Sequence, residues 1–116
     1  MNNTKAKELL KKVVVDVEAN VSVESIGEQL LEIRKIALEL DDPLVVKTLR
    51  ITKQKIEEDE SLDFDIELEI PEEDLEEYEE PENHLSYLLN LLVDSENKYN
   101  REEIKWYRAA IWEEIY

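Results

Sequence analysis

The sequence predicts a mainly helical α+β domain of about five helices, with one acidic amphipathic β-strand or small sheet. Three observations lead there. Apolar residues recur at three- and four-residue spacing through most of the chain, the period of helices with one buried face. Polar caps and one Asp-Pro pair punctuate those stretches. Between them one segment, "LDFDIELEI", alternates without a fault: Leu62, Phe64, Ile66, Leu68 and Ile70 take one parity and Asp63, Asp65, Glu67 and Glu69 the other, the period of a strand with one face buried.

Each element has its own grounds. Thr4 can cap a first helix whose inner face is Leu9, Leu10, Val13, Val14 and Val17. Residues 13–23 also carry strand spacing, with Val13, Val15, Val17, Ala19, Val21 and Val23 on one parity. The lysine-rich start favours helix to about Glu18, while the β-branched residues favour strand, and the choice between helix and strand over 13–23 stays open. Ser25 with Glu28 forms a capping box for a second helix, lined by Ile26, Leu30, Ile33, Ala37 and Leu40. Asp42-Pro43 opens a third, with Asp as N-cap and Pro in the first turn. Val45, Leu49, Thr52 and Ile56 form its inner face, and Lys47, Arg50, Lys53 and Lys55 its outer one. The few residues between helices two and three make them an antiparallel pair.

An acidic block at 57–82 follows. "EEDES" reads as a loop, the alternating segment as the strand, and "EEDLEEYEE" as one or two helical turns with Leu75 and Tyr78 inward. Leu85, Leu88, Leu89 and Leu92 then mark another helix. Asn100 with Glu103 opens the last, whose core stripe is Ile104, Tyr107, Ile111 and Ile115. Trp106 falls about 200° from Ile104 on this helix, opposite the core.

Composition bounds the function. The chain of 116 residues is read as a single domain, 1–116, with net charge −17. Sixteen of its 31 acidic residues fall within 57–82, where there is no Lys or Arg; the other 15 stand against all 14 bases. Solubilising acidity would be spread over the whole surface, and this is not. The chain has no cysteine, hence neither disulfides nor a thiolate metal site. His84 is the only histidine and Gly27 the only glycine, which removes histidine-based triads and glycine-rich phosphate loops. His84 is expected to pack or to sit at a helix start, and Gly27 to allow close packing. No pair of carboxylates stands out for glycoside chemistry, and no loop has the clustered ligands calcium needs. The expectation is a non-enzyme with no cofactor and no metal. The N-terminal residues do not read as a signal peptide, and no apolar run is long enough for a membrane span. A soluble, cytoplasmic protein with no membrane partner is expected.

The alternating segment raises the functional question. Its carboxylates stand about 6.8 Å apart on one face, where like charges repel by roughly 0.6 kcal/mol in bulk water and several times that near a protein surface. Interspersed lysines would remove this cost and solubilise equally well. An uncompensated row of negative charge fits a basic partner. Proteins that bind nucleic acid are the largest class with such a surface, since one DNA strand offers a charge every 3.4 Å or so. The expected function is therefore a nucleic-acid mimic that occupies the basic, nucleic-acid-binding surface of another protein. Concrete forms are an inhibitor of a nuclease, restriction or CRISPR effector, or a nuclease immunity protein. Direct binding to nucleic acid is disfavoured by the same charge. Asp63, Asp65, Glu67 and Glu69 would be the central contacts. Glu57, Glu58, Asp59, Glu60, Glu72, Glu73, Asp74, Glu76 and Glu77 would form a steering rim, and Trp106 an accessory anchor. A lone strand must also pair its backbone, with residues 13–23, with a second copy in a homodimer, or with a partner's sheet edge. The alternative is a homo-oligomeric structural or adaptor protein whose acidity only gives solubility.

Overall fold

Short polar side chains start every α-helix. In the computed structural model, which describes all 116 residues, Asn3 accepts the Ala6 amide and opens α1 (Thr4–Glu18). Ser22 accepts from Ser25 and opens α2 (Val23–Glu39). Asp42 accepts from Val45, with Pro43 in the first turn, and opens α3 (Pro43–Asp59). Asn83 accepts from Ser86 and opens α4 (His84–Val93). Asn97 accepts from Tyr99 and Asn100 and opens α5 (Lys98–Ile115). Each cap satisfies a first-turn amide that has no partner inside its helix. The mainly helical class is the one the sequence predicts.

Three caps differ from the expected ones. Asn3 replaces Thr4, Ser22 replaces Ser25, and Asn97 replaces Asn100. Polar residues about a turn apart offer the same spacing signal, and the more N-terminal one wins. Residues 13–18 are helical: Val13, Val14 and Val17 are buried while Val15 is 63% exposed, a split that strand parity would forbid. Asn20, at φ 56°, ends that stretch, a left-handed position that Asn tolerates.

The loop expected at "EEDES" starts late: Glu57 to Asp59 are the end of α3, and only Glu60 and Ser61 lie outside it. Lys53 bonds Glu57 at 2.9 Å, Gln54 bonds Glu58 at 3.1 Å and Lys55 bonds Asp59 at 2.9 Å. These i,i+4 pairs offset the unfavourable placement of acids at a helix C-terminus. Glu60, at φ 52°, stops the helix. Lys55 is not on an outer face: it is buried, with only its head reaching Asp59.

The helices close into a ring in the order α1, α2, α3, α5, α4, each touching two neighbours. Because α5 lies between α3 and α4 in that ring, the segment 60–83 that joins α3 to α4 must pass over α5. This arm is not a sheet. Residues 62–70 are extended, but the chain contains no second strand to pair with them. The only candidate within the chain, residues 13–23, is occupied by α1, a turn and the start of α2. Beyond the extended part lies a single 3₁₀ turn, Glu72–Asp74. Leu75, expected inside, is 53% exposed. One turn is too short to build an apolar face.

One ion cluster joins three helix starts. Asp42 caps α3 and also accepts from the Met1 ammonium at 2.9 Å and from both terminal nitrogens of Arg101 in α5, at 3.2 and 3.1 Å. The Met1 ammonium also donates to the buried Ser95 hydroxyl at 2.9 Å. Burial pushes the Asp42 carboxyl up, but the bonds and charges of Arg101 and the Met1 ammonium outweigh it and hold the pKa at about 2.

Two outcomes follow. Asp42 has a depressed folded pKa, so its contribution is complete above about pH 4 and is lost as pH falls toward 2. Asp42→Asn is expected to cost on the order of 3 kcal/mol at pH 7, and urea titrations should find that cost shrinking below pH 4. Gly27 behaves oppositely. A Cβ there would stand 3.5 Å from a Glu57 carboxylate oxygen and 3.7 Å from the Lys53 side chain, ordinary contacts, so close packing does not require glycine. Gly27→Ala is expected to stabilise the protein by roughly 0.5–1 kcal/mol, read as a higher urea midpoint at unchanged m-value.

Candidate functional site

The arm is anchored by one parity of its side chains. Leu62, Phe64 and Ile66 are 8%, 5% and 4% exposed and belong to the core. Leu68 packs against the core and is partly covered. The Lys55 ammonium sits 5.7 Å from the Phe64 ring centroid. Asp63, Asp65, Glu67 and Glu69 take the other parity and are all exposed. The alternation thus has the inside and outside the sequence assigned to it, without the sheet.

The arm's backbone is largely unbonded. Within 62–70 the one backbone–backbone hydrogen bond runs from the Asp65 amide to the Asp63 carbonyl at 3.0 Å. The Asp63 amide donates to the Ser61 hydroxyl at 2.9 Å. From Ile66 to Ile70 no amide or carbonyl has a partner in the chain.

Its charges divide into two groups. Glu57 and Asp59 are ion-paired with lysines of their own helix, and Glu58 accepts from Gln54. From Glu60 to Glu79 no acid takes part in an ion pair. Glu60, Glu72, Glu73, Glu76 and Glu77 are exposed and Asp74 is half-buried. No three of these groups converge as a metal would require.

Two recesses lie between the arm and α5. The larger, of about 730 Å³, has Glu73, Asp74, Glu77 and Tyr78 on the arm side and Tyr99, Glu102, Glu103 and Trp106 on the α5 side, with Tyr87 of α4 at its base. The smaller, of about 380 Å³, lies between Glu67 to Glu69 and Ala110, Glu113 and Glu114. No basic side chain lines either one. At 100° per residue, Tyr99, Glu102, Glu103, Trp106, Ala110, Glu113 and Glu114 occupy a single stripe of α5. The arm runs antiparallel to that stripe, so the two recesses are stations along one groove.

The groove is strongly negative. The Tyr87 hydroxyl donates to Glu103 at 2.6 Å, and burial, this bond and the Glu103 charge push its pKa far up. Burial, then the charges of Glu80 and Glu103, raise Tyr78 as well. Tyr107, behind the groove and fully buried, is raised by burial first and by its tyrosine and glutamate neighbours next. Its oxygen lies 2.7 Å from His84 Nδ1, and His84 Nε2 lies 3.4 Å from Glu80. His84 therefore starts α4 and ties the arm's end to the core. Lys98 reaches Tyr99 from outside, 5.3 Å from its ring centroid.

The structure thus brings Glu73, Asp74, Glu77 and Trp106 together, places Glu67 and Glu69 at the second recess, and leaves Asp63 and Asp65 outside both. Glu57, Glu58 and Asp59 belong to α3, where Lys53 and Lys55 pair with Glu57 and Asp59 and Gln54 bonds Glu58. The sequence does not single out Tyr87, Tyr99, Glu102, Glu113 and Glu114, and it marks Glu103 only as a capping partner of Asn100. The helical period marks the α5 stripe as acidic and aromatic. What faces it depends on the path of the arm. Compared with protein-family models, curated proteins and solved structures, the chain matches none.

Phe64→Ala tests how the arm is held. It is expected to cost about 3–4 kcal/mol and to speed cleavage between Glu60 and Glu82 by a glutamate-specific protease, read by mass spectrometry under native conditions.

Proposed function

We propose that this chain is a non-enzymatic acidic binding protein that occupies the basic, nucleic-acid-binding surface of a partner protein. The observation that carries the reading is the arm: an ordered run of exposed carboxylates, anchored from below by Leu62, Phe64 and Ile66, with no ion pair from Glu60 to Glu79. Like charges at such spacing repel, and a cationic surface is what relieves them. Asp63, Asp65, Glu67 and Glu69 are the central contacts on this reading, and Glu72 to Glu77 extend them. Glu57 and Asp59 contribute less, because Lys53 and Lys55 already neutralise them. Inhibition of a nuclease, restriction or CRISPR effector is the concrete form.

A second reading has one observation in its favour. Val15, Leu31, Leu38 and Leu40 are exposed, at 63%, 37%, 52% and 41%, which suits a homo-oligomeric adaptor joined through apolar helix faces.

A paired capture experiment separates the two. Lysate at low salt is passed over the native chain and over a variant carrying Asp63→Asn, Asp65→Asn, Glu67→Gln and Glu69→Gln. A nucleic-acid enzyme held only by the native chain, and released by sheared DNA or by roughly 0.3 M salt, is the expected result. Identical partners on both baits, or self-association that survives salt and depends on Leu31 and Leu38, would reject mimicry in favour of the adaptor.

A further inference from the structure

The groove between the arm and α5 has a chemistry distinct from the outward-facing carboxylates. Exposed acids offer charge alone. The groove adds aromatic faces: Trp106 half-buried, Tyr87 at the base and Tyr99 71% exposed at the rim. Aromatic faces flanked by carboxylates are a site for a cation, where ring quadrupole and charge act together. Tyr99 already holds the Lys98 ammonium at one side.

Shape narrows the occupant further. From Tyr99 to Glu114 the stripe of α5 is about 22 Å long, which an extended peptide of about seven residues would span. The arm wall offers such a peptide something a free cation would not use. Between Ile66 and Ile70 its amides and carbonyls have no partner in the chain, and Glu67, Leu68 and Glu69 line the second recess. A second copy of the arm fits poorly there, since antiparallel pairing would set its carboxylates against these.

We propose that the groove takes an extended lysine- or arginine-rich segment of the partner protein. One cationic side chain sits against Trp106 and Tyr99 between Glu77 and Glu102, displacing Lys105 from its exposed 3.2 Å pair with Glu102, and the peptide backbone lies along Ile66 to Ile70. This rests on the reading of the chain as a binder of basic proteins, and it names the part of the partner that is gripped. The exposed row governs encounter, and the groove governs how long the complex lasts.

The test uses a labelled peptide of seven arginines and fluorescence anisotropy, in a Trp112→Phe background so that Trp106 is the sole tryptophan. A groove variant combines Glu77→Gln, Tyr99→Ala and Glu102→Gln. A charge-matched control combines Glu24→Gln and Glu28→Gln on the exposed side of α2. The groove variant should weaken peptide binding by about tenfold and the control by less than about twofold, and saturating peptide should shift Trp106 emission. Equal weakening in groove variant and control, or unchanged Trp106 emission, would overturn the proposal. So would a groove variant that loses the peptide yet captures the DNA-displaceable partner as well as the native chain does; the broader mimicry reading would then stand without the groove. Peptide binding that passes these tests while no nucleic-acid enzyme is captured would support the groove and count against mimicry alone.

Discussion

The arm is held by side chains and not by backbone. That constraint organises the rest of the molecule. A segment that must travel from α3 to α4 across α5 has few ways to stay ordered. A helix would need an apolar stripe, and thirteen acids among the 24 residues of 60–83 leave no room for one. A sheet would need a second strand, and every other long segment is helical. What remains is an extended chain that buries alternate residues. Leu62, Phe64 and Ile66 supply the burial, on the order of 2 kcal/mol each, and the intervening acids turn outward by geometry alone. Continuity with the core, through Lys55 beneath Phe64 and His84 against Tyr107, fixes both ends.

Charge is partitioned by the same architecture. The bases sit on helices, where carboxylates one turn away meet them: Lys12 with Asp16, Lys53 with Glu57, Lys55 with Asp59. An extended arm has no neighbour one turn away, and none of its own residues is basic. Its acids therefore remain unpaired, although lysines are plentiful elsewhere. The mutual repulsion is a cost carried by the folded protein. It is tolerable because the carboxylates are in water, where each pair costs little, and because the Asp42 cluster and the closed ring of helices stabilise the scaffold independently.

How much of this was legible in the sequence depends on whether the signal was local. Asp42-Pro43 marked the start of α3 because capping and the fixed proline φ are properties of adjacent residues. The parity of 62–70 was legible for the same reason: burial on alternate positions needs no knowledge of what lies beneath. Calling the segment a strand went one step too far. Pairing is a tertiary fact, and alternation reports a buried side, not a ladder. The acids of "EEDES" look like turn formers until Lys53 and Lys55 are counted four residues before Glu57 and Asp59. Leu75 was placed inside on spacing alone, where no helix was long enough to enforce it. The groove was the least legible feature. Its α5 wall is written in the helical period from Tyr99 to Glu114, but its other wall comes from a chain segment some 30 residues away, brought there by the order of the helices in the ring.

An arm fixed in this way differs from an acidic tail of the same composition. A disordered tail would lose conformational entropy on meeting a partner, about 1–2 kcal/mol for each residue ordered. Here much of that cost falls on folding, met by Leu62, Phe64 and Ile66, and on the proposed reading the carboxylates would already be in line for a basic surface. The free backbone from Ile66 to Ile70 belongs to the same arrangement. A sheet would have given the arm more rigidity but consumed those amides and carbonyls. Side-chain anchoring leaves them free beside the Ala110, Glu113 and Glu114 end of the α5 stripe. If charge alone were the purpose, neither an ordered arm nor Trp106 and Tyr99 opposite it would be needed. On the proposed reading, their conjunction would serve recognition of a particular basic segment better than a diffuse electrostatic shield.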